Sequence, residues 1–131
     1  MGKEPMIGLR LPGVDLPLAD HALIAAYVAA SGDDNPLHAD TALACAVGFD
    51  DILVPGMLVM GQMSEALAAW PRCVVIESFR CRFVEPVVVG TRLRCEGRVV
   101  ATLPAARVVI RITAGSTRRF SVVGEAVIHI A

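Results

Sequence analysis

The sequence has no long apolar run. Between Asp51 and Glu65 lie 13 residues without a charge, broken by Pro55, Gly56, Gly61 and Gln62, whereas a membrane span takes ~20 apolar residues. No membrane partner is therefore expected. Residues 1–20 lack both an apolar core and an A-x-A cleavage pattern, so no signal peptide and a cytoplasmic protein are expected. An excess of positive charge is missing too. The formal net charge is −1, and duplex binding usually leaves a basic footprint, so nucleic acid is not an expected partner. The four cysteines (Cys45, Cys73, Cys81, Cys95) show no C-x-x-C spacing and no nearby histidine pair, which argues against zinc. Cys81 and Cys95 fall in phase with inward strand positions, as buried free thiols of a reducing compartment would. Charged residues make up only 19% against 55% hydrophobic, the reverse of a disordered chain.

A chain of 131 residues is expected to form one domain over 1–131. Its mean hydropathy of +0.61 is high for a small monomer, which has much surface to keep wet. The excess points to a buried partner interface and hence a homodimer. Charge is unevenly placed. Residues 1–65 carry nine acidic side chains against Lys3 and Arg10, while residues 66–131 carry ten arginines against Glu77, Glu85, Glu96 and Glu125. Those arginines could hold the phosphates of a carrier, or they could be solvated strand faces that balance the acidic half. For most of them singly, the second reading is favoured.

The first half reads helical and the second half reads as strands, an α+β pattern. Residues 20–30 begin with a possible N-cap, Asp20, and Leu23, Ala26, Tyr27 and Ala30 recur at helical spacing. Residues 41–47 predict a short helix closed by Gly48. A third helix is predicted over 56–70, between Pro55 and Pro71. Its first two turns (Met57, Leu58, Val59, Met60, Met63) are apolar nearly all round, so it should be buried on every side. Period-two alternation follows in Phe79–Cys81–Phe83, Leu93–Cys95–Gly97–Val99, Val108–Ile110–Ile112 and Phe120 through Ile130. Turns are predicted over 86–91, 102–105 and 114–117. An antiparallel sheet following one fully apolar helix should curl around it. This is the hot-dog arrangement.

The segment Ser31-Gly32-Asp33-Asp34-Asn35-Pro36-Leu37-His38 carries the chemistry. Gly, Asp, Asn and Pro together force a tight loop, which can bring Asp33 and His38 to one point. A carboxylate and an imidazole sharing one water make an acid/base pair. For the bare pattern, Asx turns with an ordinary surface histidine are the favoured reading; the neighbouring residues change the balance.

Residues 27–44 (YVAASGDDNPLHADTALA) resemble the signature of the MaoC-like hydratases, the (R)-specific enoyl-CoA hydratases and related acyl-thioester dehydratases. Pro55-Gly56-Met57-Leu58 looks like the start of that family's buried helix, and Phe83-Val84-Glu85-Pro86-Val87 through Gly90-Thr91 like its sheet turn. The resemblance implies a single hot-dog domain, a homodimer, and an acyl thioester of CoA or acyl carrier protein as substrate, with no cofactor and no metal. Asp33 would be the base on water, His38 the proton donor, and Asn35 the brace of the loop. The Gly56 N–H would face the thioester carbonyl, a role that a free N–H at a helix start suits on its own account. Two positions depart from the pattern. Pro55 stands where the family usually has His, which removes a side-chain contact but leaves the Gly56 N–H free. Ala30 stands where a larger aliphatic residue is usual.

The implied activity is reversible hydration of trans-2-enoyl thioesters to (R)-3-hydroxyacyl thioesters. A non-catalytic subunit that binds acyl thioesters in a heterodimer, or a thioester hydrolase on the same fold, are the alternatives. Met57, Met60 and Ser64 could line the acyl pocket, although such a stripe is more often core. Arg80 and Arg82 alternate with Phe79, Cys81 and Phe83, so their heads should leave the core and could reach a carrier phosphate. His21 and His129 have no partner visible in sequence.

Overall fold

Asp20 caps the first helix: its carboxylate accepts the Leu23 N–H at 2.8 Å. Helix α1 then runs His21–Ser31 in the computed structural model, which describes residues 7–117 and 119–131. Only part of the recurring set on α1 faces the core. Ile24 is fully buried, with Leu23 and Val28 packed beside it, while Ala26 and Ala30 face solvent. The core takes the side with the larger apolar area, because transfer from water scales with area. Asp40 caps α2 (Thr41–Ala46) by accepting the Leu43 N–H at 3.0 Å. Gly48 then turns the chain at φ +105°, a conformation that favours glycine.

Helix α3 spans Gly56–Ala68 and is the centre of the core, with Val59, Met63 and Leu67 fully buried. It is not covered on every side, as its composition predicted: Met57 is 58% exposed, and Gly61 faces solvent. The sheet wraps one side of the helix only. No described helix is long and apolar enough to cross a membrane.

The sheet is antiparallel and holds β1 (Val14–Asp15), β2 (Cys73–Phe83), β3 (Arg94–Leu103), β4 (Arg107–Gly115) and β5 (Phe120–Ile130). Its order is β1-β3-β4-β5-β2. Cys95, Val99, Val108, Ile110, Ile112, Ala126 and Ile128 point at α3 and are buried, which matches the period-two reading. The antiparallel sheet curled over a central helix is the hot-dog fold, in one α+β domain.

Three features differ from the sequence expectation. Residues 86–91 do not make a hairpin turn, because β2 pairs with β5 and not with β3. They cross over instead, exchanging Val54 N–H to Val87 O (2.8 Å) and Val89 N–H to Ile52 O (2.9 Å) with the segment that enters α3. The short β1 carries no period of its own and was missed. In β5, a register shift between the Val122 and Phe120 pairings turns Ser121 inward and leaves Phe120 60% exposed.

Candidate active site

The loop after α1 is held by its own polar groups. Gly32 ends the helix at φ +73°, its N–H donating to Val28 O. Asp33 Oδ1 accepts the Asn35 N–H at 3.1 Å, and Asn35 Oδ1 accepts the Leu37 N–H at 3.1 Å. Asn35 is thereby the N-cap of a 3-10 turn over Pro36–His38. The Asx turns and the acid/base pair therefore coexist: Asp33 uses one carboxylate oxygen to fix the loop and presents the other to His38. Asp33 Oδ2 lies 3.5 Å from His38 Nε2.

His38 is oriented from behind. Its Nδ1–H donates to Leu53 O at 2.8 Å, and the Leu53 N–H donates to Leu37 O at 2.8 Å. With Nδ1–H engaged by Leu53 O, Nε2 is the nitrogen turned to Asp33. The histidine side chain is 11% exposed and the aspartate 35%, so the pair sits at a wall with one open side. A separation of 3.5 Å leaves both groups able to bond a shared water, because a direct charge-assisted bond would be shorter.

The segment that accepts the His38 proton also delivers the helix start. Pro55 is the N-cap of α3 and provides no side-chain cap. The Leu58 and Val59 N–H groups donate to Pro55 O, whereas the Gly56 N–H has no partner among the described residues. A helix start with a free N–H holds negative charge on an oxygen. Asp33, Gly56, Met57, Phe83 and Glu85 all line one cleft of about 340 Å³. Val54, Val59, Val84, Pro86, Val87 and Val122 complete it.

Of the residues singled out in the sequence, Asp33, Gly56 and Met57 come together in this cleft, with His38 behind Asp33. Met60 and Ser64 do not line it. Ser64 donates its hydroxyl proton to Met60 O at 3.0 Å, one turn back on the same helix. The described cleft opens at the first turn of α3. Arg80 and Arg82 stand on the sheet face turned away from α3. There they border a separate groove of about 680 Å³ with Arg111 and Phe120. His21 and His129 have partners after all, Asp51 at 3.3 Å and Glu77 at 3.5 Å.

Two cleft residues were missed. Phe83 was read only as an inward strand residue, and Glu85 only as part of a turn. Glu85 lines the cleft, and the Arg119 guanidinium donates to both its carboxylate oxygens at 3.3 Å. A carboxylate directly after an apolar strand, and just before a proline, was the available signal.

The family model described as "MaoC like domain" matches residues 10–118. The chain belongs to the MaoC-like domain family. Among similar proteins, the mitochondrial 3-hydroxyacyl-[acyl-carrier-protein] dehydratase FERN of Solanum lycopersicum is 36% identical over 75 residues, 57% of this chain. That match covers 46% of the tomato protein, so this MaoC-like chain spans about half the length of the curated relative it matches. The (R)-hydratase from A. caviae involved in PHA biosynthesis has the same fold at 25% identity and a TM-score of 0.85. The match covers 99% of this chain and 100% of that one. R-hydratase PhaJ1 from Pseudomonas aeruginosa is 28% identical with a TM-score of 0.78, covering 95% and 81% of the two chains.

Proposed function

We propose that this MaoC-like chain reversibly hydrates trans-2-enoyl thioesters, of CoA or acyl carrier protein, to (R)-3-hydroxyacyl thioesters. The observation that carries the reading is Asp33 Oδ2 placed 3.5 Å from His38 Nε2 at the wall of the cleft that the Gly56 N–H also borders. In the forward direction Asp33 Oδ2 takes a proton from water as the water oxygen bonds to C3. Charge then gathers on the thioester oxygen against the Gly56 N–H. The His38 imidazolium delivers its Nε2 proton to C2. Asp33 afterwards returns its proton to Nε2, so one water has been added and both groups are reset. Asn35 has a positioning role, through the cap that orients the loop.

A homodimer belongs to the same proposal. Strand β2 is the sheet edge, 11 residues long, with Val74 64% and Val75 52% exposed. A long edge that starts with exposed apolar side chains invites pairing with another strand. Phe83, at the end of that edge, borders the cleft, so a partner on β2 would sit at its mouth.

Crotonyl-CoA is the test substrate. Loss of the enoyl absorbance, with (R)-3-hydroxybutyryl-CoA as product and no free thiol, is the expected result. Release of thiol would identify a hydrolase. No hydration across chain lengths, on CoA and carrier-protein thioesters alike, would leave a subunit that only binds acyl thioesters.

A further inference from the structure

Asp51 does not line the reaction cleft. It is nonetheless the residue at which the three stretches of chain that build the site are joined by side-chain contacts. Helix α1 ends in the Asp33 loop, and its first residue, His21, places Nε2 3.3 Å from Asp51 Oδ2. Helix α2 follows His38 after Ala39 and Asp40, and its first residue, Thr41, donates its hydroxyl proton to Asp51 Oδ1 at 3.2 Å. The third stretch, 51–56, brings Leu53 O to His38 and Gly56 to the cleft. It begins with the Ile52 N–H held by Asp51 Oδ1 at 2.7 Å.

A local turn would be served by the Ile52 bond alone. The other two contacts reach 30 and 10 residues back along the chain. Backbone bonds tie residues 52–54 to the crossover, through Val87 and Val89, and to Leu37. Among the described residues, the hydrogen bonds and ion pairs between 51–56 and the two helices α1 and α2 all run through Asp51. The Ile52 N–H, followed by the His21 ring and the Thr41 hydroxyl, outweighs desolvation and keeps the Asp51 carboxyl below the ordinary aspartate range. It is therefore an acceptor at neutral pH.

We infer that Asp51 is a positioning residue of the hydration site: it joins the starts of α1 and α2 to the 51–56 stretch and so sets Leu53 O behind His38. The inference rests on reading the cleft as the hydration site. Leu53 O must stand where the His38 Nδ1–H can donate to it if Nε2 is to face Asp33. Loosening the stretch lets the imidazole turn, and a reacting group misplaced by ~1 Å can cost about 10²-fold in rate. Val59, Met63 and Leu67 anchor α3 in the core independently of Asp51, so the loss falls on kcat and not on KM.

The test is Asp51→Ala beside Asp51→Asn, which keeps an acceptor for the Ile52 N–H and the Thr41 hydroxyl. Kinetics are compared where denaturant melts show each variant folded. In Asp51→Ala, kcat on crotonyl-CoA should fall by about tenfold or more with KM within about twofold, and asparagine should restore most of it. In a His38→Ala background the Asp51→Ala loss should shrink to less than about twofold, because it acts through that ring. Proton–nitrogen NMR spectra of the His38 ring, at a pH where it is neutral, report the arrangement without turnover. Wild type and Asp51→Asn should hold the Nδ1–H tautomer, and Asp51→Ala should show a mixture. Thr41→Val removes one of the three contacts and replaces the alanine variant if that does not fold, with the same signs expected. Three results would overturn the inference: wild-type kcat and tautomer in Asp51→Ala, a full loss persisting in the His38→Ala background, or no recovery in Asp51→Asn. No hydration by the wild-type protein, with the Nδ1–H tautomer held there and lost in Asp51→Ala, would sink the hydratase reading and leave Asp51 assigned.

Discussion

The Phe83 ring lies against the Cα of Gly56, so that a Cβ at position 56 would fall 3.0 Å from two of its ring carbons. Gly56 is therefore required for close approach and not for backbone freedom, since its φ lies outside the left-handed region. The contact joins the end of β2 to the start of α3. It also makes one side of the cleft from a strand and a helix that are far apart in sequence.

Gly56→Ala should keep the fold, because the half-exposed Phe83 ring can swing away, but it should lower kcat/KM on crotonyl-CoA by roughly tenfold or more. Adding Phe83→Ala should recover part of that loss, since the clash is with the ring. A double-mutant cycle in kcat/KM measures the coupling. Wild-type kinetics in Gly56→Ala would mean that the first turn of α3 does not hold the thioester.

Asp33→Asn and His38→Ala should each cut turnover by about 10²-fold or more, and the double mutant should be far from additive, since both act on one water. Asparagine retains an acceptor for the Asn35 N–H, so the loop should survive the first change. Asn35→Ala instead removes the cap on Leu37 and should lower stability by about 1 kcal/mol in denaturant melts. Near-normal turnover in Asp33→Asn alone would remove Asp33 from its role as base.

Much of this was legible in the sequence because local chemistry dictates it. Asp20 caps a helix where its position said it would, and the inward residues of β3 and β4 follow their alternation. The 33–38 loop could be read because its geometry depends on its own side chains. What could not be read depends on distant partners. The crossover at 86–91 is set by bonds to residues 52–54, and the exposure of Phe120 by a shift against β4. Which residues of α3 border the cleft could not be read, because a helix apolar all round carries no periodic clue to which side a cleft takes.

Cys95 gives a prediction in pH. Burial, and then the charge of Glu96, push its thiol up to about 11 from the ordinary thiol range. A group whose folded value is raised contributes stability that is fully present below the unfolded value and is lost as pH rises through the folded one. Wild-type stability should therefore fall more steeply between about pH 9 and 11 than that of Cys95→Ala, followed by denaturant midpoints at each pH. At pH 8 a maleimide should reach exposed Cys45 first and Cys95 only after unfolding. Early labelling of Cys95 would show that the β3 face is open in solution.

Arg80 and Arg82 extend the reading to the carrier. Their heads lie on the outer face of the sheet and border the groove of about 680 Å³. Neither has an ion-pair partner among the described residues, although Glu125 stands opposite Arg80 in register. Arg82 adjoins Phe83, which borders the reaction cleft, so a carrier arm could round the end of β2 between the two faces. Both CoA and acyl carrier protein present phosphate on that arm, and guanidinium forks suit phosphate. If these arginines hold it, Arg80→Ala and Arg82→Ala should raise KM and weaken its dependence on salt, because a screened attraction has been removed. Turnover at saturation should stay close to wild type, since the contact is equal in ground and transition states. Steady-state kinetics at low and high salt separate the cases. An unchanged KM in both single mutants and in the double mutant would move the carrier to another surface.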